Sequence, residues 1–264
     1  STPTSRRQRQ MCIRDSTSYA VEGAQFSPSY KKGVWDGRKN LARVRTGSFP
    51  TGLLPIVQEM LAKNEIQFVV DDKRQHPGRM DLFGPTSYEL ANGIVLRDYQ
   101  LKAAKAAVES EGGILKMATG SGKTYVAAGI IVAHNVPTLF LVPTRELLYQ
   151  TRAEFLKAIP NATEASIGVV GDGEWEVGTF VTVATVSTLH ARLATDECAE
   201  LLKSVDCIIA DECHGSGADE YYEIVQASNA YYKYGMSGTP YDRTDGGTLR
   251  LIASFGEKVA DVGY

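Results

Sequence analysis

Four side chains with the means to handle a phosphate anhydride stand in two places: Lys123 and Thr124 close Met117-Ala-Thr-Gly-Ser-Gly-Lys-Thr124, and Asp211 and Glu212 open Asp211-Glu-Cys-His214. In the first segment, glycines at 120 and 122 let the loop Thr119-Gly120-Ser121-Gly122 turn so that successive backbone N–H groups face one anion. That anion would sit at the positive end of the helix that follows. Lys123 adds a point charge suited to β- and γ-phosphates, and the Thr124 hydroxyl is placed to ligate magnesium. In the second segment, Asp211 is suited to hold that magnesium, directly or through water. Glu212 is suited to orient and deprotonate an attacking water. A plain Gly-Ser-Gly turn and a solvated acidic turn are the bland alternatives. The two segments together favour nucleotide chemistry over both.

Such groups need elements to position them. Gly113-Ile-Leu-Lys-Met117 reads as a buried strand entering the loop, and Tyr125 to Ala133 is apolar enough for a buried helix leaving it. Val205-Asp-Cys-Ile-Ile-Ala210 is a β-branched run that delivers Asp211 at its C-terminal end, where open α/β sheets place their ligands. Further strands are expected near 113–118, 138–142, 167–170, 180–184, 205–210 and 231–237, alternating with helical stretches. The predicted class is therefore α/β with a mostly parallel, doubly wound sheet from about Leu90 onward.

These segments, with Ser237-Gly-Thr-Pro240, resemble the first motor domain of superfamily 2 helicases of the DExH type, although the strict loop pattern has Gly where Met117 stands. The resemblance implies a RecA-like P-loop domain using ATP and Mg2+, and a nucleic-acid-dependent ATPase or helicase. It implies that His214, Ser237 and Thr239 relay the nucleotide state. It assigns adenine recognition to Gln100, with Arg97 nearby, in Leu96-Arg-Asp-Tyr-Gln100. A Gln amide can pair with adenine N6 and N7, and an ordinary helix start is the alternative. Pro143-Thr-Arg-Glu-Leu-Leu148 looks like the family's motif Ia, in which Thr144 and Arg145 grip the phosphodiester backbone. Thr185 looks like a further nucleic-acid contact, although the alternation around it equally suits a core strand. Phe26 to Gly37 and Thr51-Gly-Leu-Leu-Pro55 are similar to the N-terminal region of UvsW-like phage helicases and their bacterial relatives. The likeness runs from Tyr19 to about Gly256.

The charge is divided unevenly. The chain of 264 residues has a net charge of −3, yet residues 1–90 carry +5 and residues 91–264 carry −8. Lys31, Lys32, Arg38, Lys39, Arg43 and Arg45 cluster with Phe26, Tyr30 and Trp35. This suits either phosphate gripping with base stacking or a solvated basic turn anchored by Trp35. The expected partner is DNA, with RNA or an RNA–DNA hybrid as alternatives. The expected organisation is a non-native or disordered segment at 1–16, a small basic nucleic-acid-binding domain at 17–75 including a helix over 53–64 and a strand at 67–70, a linker at 76–92, and a RecA-like domain at 93–264. Only 24 residues follow Pro240, whereas a second motor domain needs on the order of 150, so a second RecA-like domain is expected in the full protein. Four cysteines without metal-ligand spacing and no membrane-length apolar run point to the cytoplasm, the host's if the gene is a phage's. A translocase subunit of a restriction system and a non-hydrolysing binding module are the rival readings.

Overall fold

Apolar runs bounded by turn residues form the strands of one sheet, and amphipathic stretches between them form its covering helices. The computed structural model describes residues 6–43, 45–77, 88–213, 218–239 and 247–262. The first part of the chain comprises α1 (Arg6–Ser16), β1 (Ser18–Ala20), α2 (Pro28–Lys31), β2 (Arg38–Asn40) and α3 (Leu54–Lys63). The second begins with α4 (Asp98–Ser110), β3 (Gly112–Met117), α5 (Lys123–His134), β4 (Thr138–Val142), α6 (Arg145–Ala158), β5 (Ile167–Gly171) and β6 (Glu174–Glu176). It continues with β7 (Val181–Thr185), α7 (Val186–Ala191), α8 (Asp196–Ser204), β8 (Cys207–Ala210), α9 (Ala218–Ala227), β9 (Tyr232–Ser237), α10 (Gly247–Phe255) and β10 (Lys258–Val262).

The large sheet has the order β10-β3-β9-β8-β4-β7-β5-β6 among the described residues. Its pairings are parallel except for the β5–β6 hairpin at one edge. Strands β4, β5, β7 and β8 are buried along their whole length, which is why their sequences are continuous apolar runs rather than alternating ones. One face is covered by α4, α5 and α6 through Leu101, Ile130 and Phe155. The other is covered by α7 to α10 through Leu189, Leu201, Ile224 and Leu251. Helix α5 is apolar nearly all round because the sheet, α4 and α6 enclose it. Thr144 and Thr195 cap α6 and α8, accepting the N–H groups of Leu147 and Cys198. No helix among the described residues is long and apolar enough to cross a membrane.

The order puts β3, β9 and β8 side by side, with Lys116 opposite Ser237 and Ala210 opposite Gly235. The three chemistry-bearing segments therefore leave the C-terminal ends of three adjacent strands as neighbours, although about ninety residues separate the first from the second in sequence.

Several expectations are corrected. Residues 67–70 form no strand and pair with no strand among the described residues; Val69 is 93% exposed. The β-branched Val69 and Val70 suit a strand, but a strand needs a partner, and the described residues supply none. Residues 6–16, set aside as non-native or disordered, form α1. Arg14 pairs with Asp36 at 2.7 Å, the Thr17 hydroxyl donates to the Ile13 carbonyl, and the helix packs on α3. The expected linker also ends early: Tyr88 and Leu90 are buried in the motor core, and Glu89 bridges Val95 across a turn at Asn92. Residues 71–77 lie at the N-terminal ends of β3 and β9, where Arg74 stacks over Tyr231 and His76 meets Glu111. β6 and β10 had no counterpart in the expected strand set.

Candidate active site

The loop after β3 turns as its glycines allow, with φ of +80° at both Gly120 and Gly122. Gly122 is also sterically required, because a Cβ there would lie 2.3 Å from the Gln100 amide nitrogen. Lys123 begins α5 directly after this loop, so the first amides of the helix and the Lys123 ammonium share one end. Ser121 Oγ is buried with no hydrogen-bond partner. A buried hydroxyl of that kind normally has a partner, and one without a partner among the described residues, in the loop before α5, fits an anion with acceptor oxygens.

Opposite, Asp211 leaves β8 with its N–H bonded to the Leu141 carbonyl at 2.9 Å and its carbonyl accepting from the Tyr221 hydroxyl at 2.7 Å. Glu212 is held in the left-handed region, φ +46°, with its N–H donating to Asp211 Oδ1 at 3.0 Å. A non-glycine residue there is strained, and such strain concentrates at functional sites. The Glu212 carboxylate reaches across and accepts a hydrogen bond from Lys123 Nζ. Lys123 is nearly buried at this contact and Glu212 partly so. Cys213 N–H donates to the Met236 carbonyl, tying the acidic segment to β9, and burial pushes the Cys213 thiol up, away from ionisation. Ser237 at the end of β9 is fully buried, and its Oγ accepts the Thr239 N–H at 3.1 Å. Lys123, Asp211, Glu212, Ser237 and Thr239 are thus brought together. His214 lies outside the described residues.

Gln100 does more locally than the sequence suggested. Its carbonyl accepts the Arg97 N–H at 2.9 Å, completing the N-terminus of α4, and its amide N–H donates to the Ser121 carbonyl at 2.9 Å. It is only 5% exposed. Two of the four hydrogen-bonding positions of this amide are therefore spent on bracing the phosphate-type loop. The Tyr99 hydroxyl braces the same carbonyl at 3.2 Å and receives Arg97 Nη1 at 3.3 Å. Beside them is a cleft of about 380 Å³ lined by Ile94, Val95, Arg97, Tyr99, Gly120 and Tyr125. Tyr99 and Tyr125 were missed as lining residues; the only signal was that each adjoins a motif.

The expected nucleic-acid contacts divide. Lys31 and Lys32 are exposed. Arg38 is exposed too, but its guanidinium donates to Ser18 Oγ at 2.9 Å and to the Ser18 carbonyl at 2.8 Å, so it fastens β1 to β2. Thr144 is the N-cap of α6. Arg145 is exposed at the start of α6 but paired with Asp172 at 2.7 Å, which raises its pKa through that hydrogen bond and charge. Thr185 is buried, its hydroxyl donating to Thr188 at 2.8 Å; the core-strand alternative describes it, and Ser187, in the first turn of α7, is exposed.

Comparison with known proteins accords with this geometry. Residues 93–242 match the family described as Type III restriction enzyme, res subunit, and residues 6–71 match the family described as DNA helicase UvsW, N-terminal. A DNA 3'-5' translocase XPB2 of Sulfurisphaera tokodaii is 33% identical over 153 residues, covering 58% of this chain and 32% of that protein. The ATP-dependent DNA helicase uvsW of Enterobacteria phage T4 is 23% identical over 257 residues, 93% of this chain and 51% of that one. A crystal structure of the phage T4 UvsW helicase superposes with a TM-score of 0.78 at 21% identity, covering 94% of this chain and 92% of that one, a likeness of fold. The chain spans from about a third to about half the length of these two curated relatives.

Proposed function

This chain belongs to the family described as Type III restriction enzyme, res subunit, and from that premise, with its residues 6–71 matching DNA helicase UvsW, N-terminal, we propose that it forms the ATP-binding part of a UvsW-like superfamily 2 motor that remodels DNA. The observation that carries the reading is the meeting of Lys123, after β3, with Glu212, after β8, at the C-terminal ends of the β3-β9-β8 strands, where Asp211, Ser237 and Thr239 also stand. In this proposal the amides of Gly120 to Thr124 and the Lys123 ammonium hold the β- and γ-phosphates. Thr119 and Ser121 complete the cradle. Thr124 and Asp211 hold magnesium, which when bound neutralises charge on the phosphate oxygens. Glu212, released from Lys123, accepts the proton of the attacking water. The cleft beside Tyr99 and Tyr125 takes the adenine, with Arg97 at its rim and Gln100 offering its remaining N–H. Ser237, Thr239 and His214 pass the state of the site onward.

Nucleic acid is assigned to Lys31 and Lys32 on the small unit, and to Thr144 and Arg145 on the motor. The proposed organisation keeps a small basic unit ahead of a RecA-like domain, with a second RecA-like domain supplying the other wall of the site and the cytoplasm as the place of work. The restriction-translocase reading has support in the family's description. The match of residues 6–71 to the UvsW N-terminal family favours the helicase reading.

Titration with magnesium-ADP by calorimetry tests the core of this proposal. The chain is expected to bind, and Lys123→Ala is expected to lose binding. An unchanged affinity in Lys123→Ala overturns the assignment.

A further inference from the structure

The small unit exposes apolar surface in one tightly closed loop. Residues 21–37 begin and end at a hydrogen bond from Val21 N–H to the Gly37 carbonyl, 2.8 Å. Inside, Ser27 and Ser29 carbonyls accept the N–H groups of Lys31, Val34 and Trp35, and the Tyr30 carbonyl accepts that of Gly33. The Trp35 indole donates to the Arg38 carbonyl at 2.8 Å, so this ring is spent on the loop's own geometry. Gly37 has φ +76° and lies against the Tyr30 ring, where a Cβ would approach to 2.9 Å. The backbone is thus fixed by its own bonds.

What this fixed loop presents is unusual for a solvent face. Phe26 is 73% exposed, Val34 80% and Tyr30 42%. Helix α2 within the loop buries none of its residues. Lys31 and Lys32 lie between these side chains in sequence, and neither forms an ion pair among the described residues. Of the loop's two carboxylates, Glu22 is exposed at its start and Asp36, at its far end, is paired with Arg14. Apolar side chains held out on a rigid loop forgo their burial free energy unless a partner covers them. The two unpaired ammonium groups make that partner polyanionic, and the rings make it one with flat apolar faces.

We propose that the 21–37 loop is a stacking platform for unpaired nucleobases, with Phe26 and Tyr30 against base faces and Lys31 and Lys32 on the flanking phosphates. This rests on the reading of the small unit as a nucleic-acid binder and adds what that unit selects: single-stranded nucleic acid, in which base faces are open, over smooth duplex, in which they are stacked away. Val34 covers sugar and base edges beside the rings. Trp35 holds the loop and does not stack.

Fluorescence anisotropy of this chain with a blunt duplex, and with the same duplex carrying a single-stranded overhang, tests the proposal. The unaltered chain is expected to prefer the overhang. Phe26→Ala, at an exposed position and checked for folding by circular dichroism, is expected to weaken overhang binding by about 5- to 150-fold, the range of a lost base stack, and to leave duplex binding unchanged. Lys31→Ala with Lys32→Ala is expected to lower the salt slope on both ligands by up to about two. If the lysine variant weakens binding and Phe26→Ala does not, or if Phe26→Ala weakens both ligands equally, the stacking platform is overturned while the nucleic-acid reading stands. If the lysine variant changes nothing, that reading falls too. A loss of self-association on sizing chromatography in Phe26→Ala, with overhang binding intact, would assign the face to a second copy and overturn the proposal.

Discussion

At the scale of single residues, the Lys123–Glu212 pair sets the terms on which a nucleotide enters. Both members have work in the proposed reaction that they cannot do while bonded to each other. A ligand must therefore separate them, and the population already separated limits the apparent affinity. Glu212→Gln removes the charge that competes for Lys123 and leaves Asp211 as a metal donor. Nucleotide binding to this variant is expected to tighten by a few fold, about 1 kcal/mol for a partly exposed pair. Hydrolysis of ATP is expected to stop. Calorimetry checks the first and a phosphate-release assay the second; weaker binding in Glu212→Gln would mean that the carboxylate supports the nucleotide rather than competing with it. The same scale shows where the sequence was silent. Lys123, Asp211 and Glu212 were legible because their neighbours in sequence define them. The role of Arg38 was not, because its partner Ser18 lies on the opposite strand twenty residues away. Gln100 was half legible: the capping pattern three residues from Arg97 is local, but the bond to Ser121 exists only once α4 packs beside the loop.

At the scale of elements, the strands that carry the site were readable to within two residues or so, because fully buried parallel strands leave uninterrupted apolar runs. The edge elements were not. β6, with the sequence Glu174-Trp-Glu176, and β10, which bonds Lys258 to Asp261, carry charges suited to exposed edges and look like loop. The β5–β6 hairpin has a consequence for the proposed DNA face. Its turn sets Asp172 against Arg145, and the Tyr149 hydroxyl donates to Asp172 at 3.2 Å and to Glu174 at 3.3 Å. The hairpin thus holds carboxylates where a phosphate would meet Arg145. Asp172→Asn is expected to free the guanidinium, tightening DNA binding and steepening the salt dependence by about one unit of slope. Arg145→Ala made in the Asp172→Asn background is expected to reverse both changes. A salt titration of the three proteins decides it, and an unaltered slope in Asp172→Asn would show that the hairpin does not compete with phosphate.

At the scale of the whole molecule, the small unit is mounted on the motor at a particular place. Arg250 of α10 donates through Nε to the Tyr19 hydroxyl at 2.7 Å, lies 4.9 Å over the Tyr19 ring, and pairs with Asp219 of α9. Gly52, in the turn before α3, packs so closely on the Ile252 carbonyl that a Cβ would stand 2.1 Å from it. Among the described residues, α9 is the first helix after Asp211 and Glu212, and α10 the first after Ser237 and Thr239. Both helices that carry the small unit thus follow loops of the proposed nucleotide site. A change in those loops that shifts either helix would move the small unit and its lysines with it. Two ligands linked through one such joint must affect each other equally. Magnesium-ADP should then change DNA affinity by the same factor by which DNA changes ADP affinity, and on the order of 5-fold is a typical lower bound for such coupling. Arg250→Ala removes the link from Tyr19 to Asp219 without touching either proposed site. It is expected to bring the coupling factor close to one, while ADP affinity measured without DNA stays as it was. Paired titrations, each ligand with and without the other, measure this directly. Full coupling retained in Arg250→Ala would mean that the joint holds the small unit in place and carries no signal between the sites.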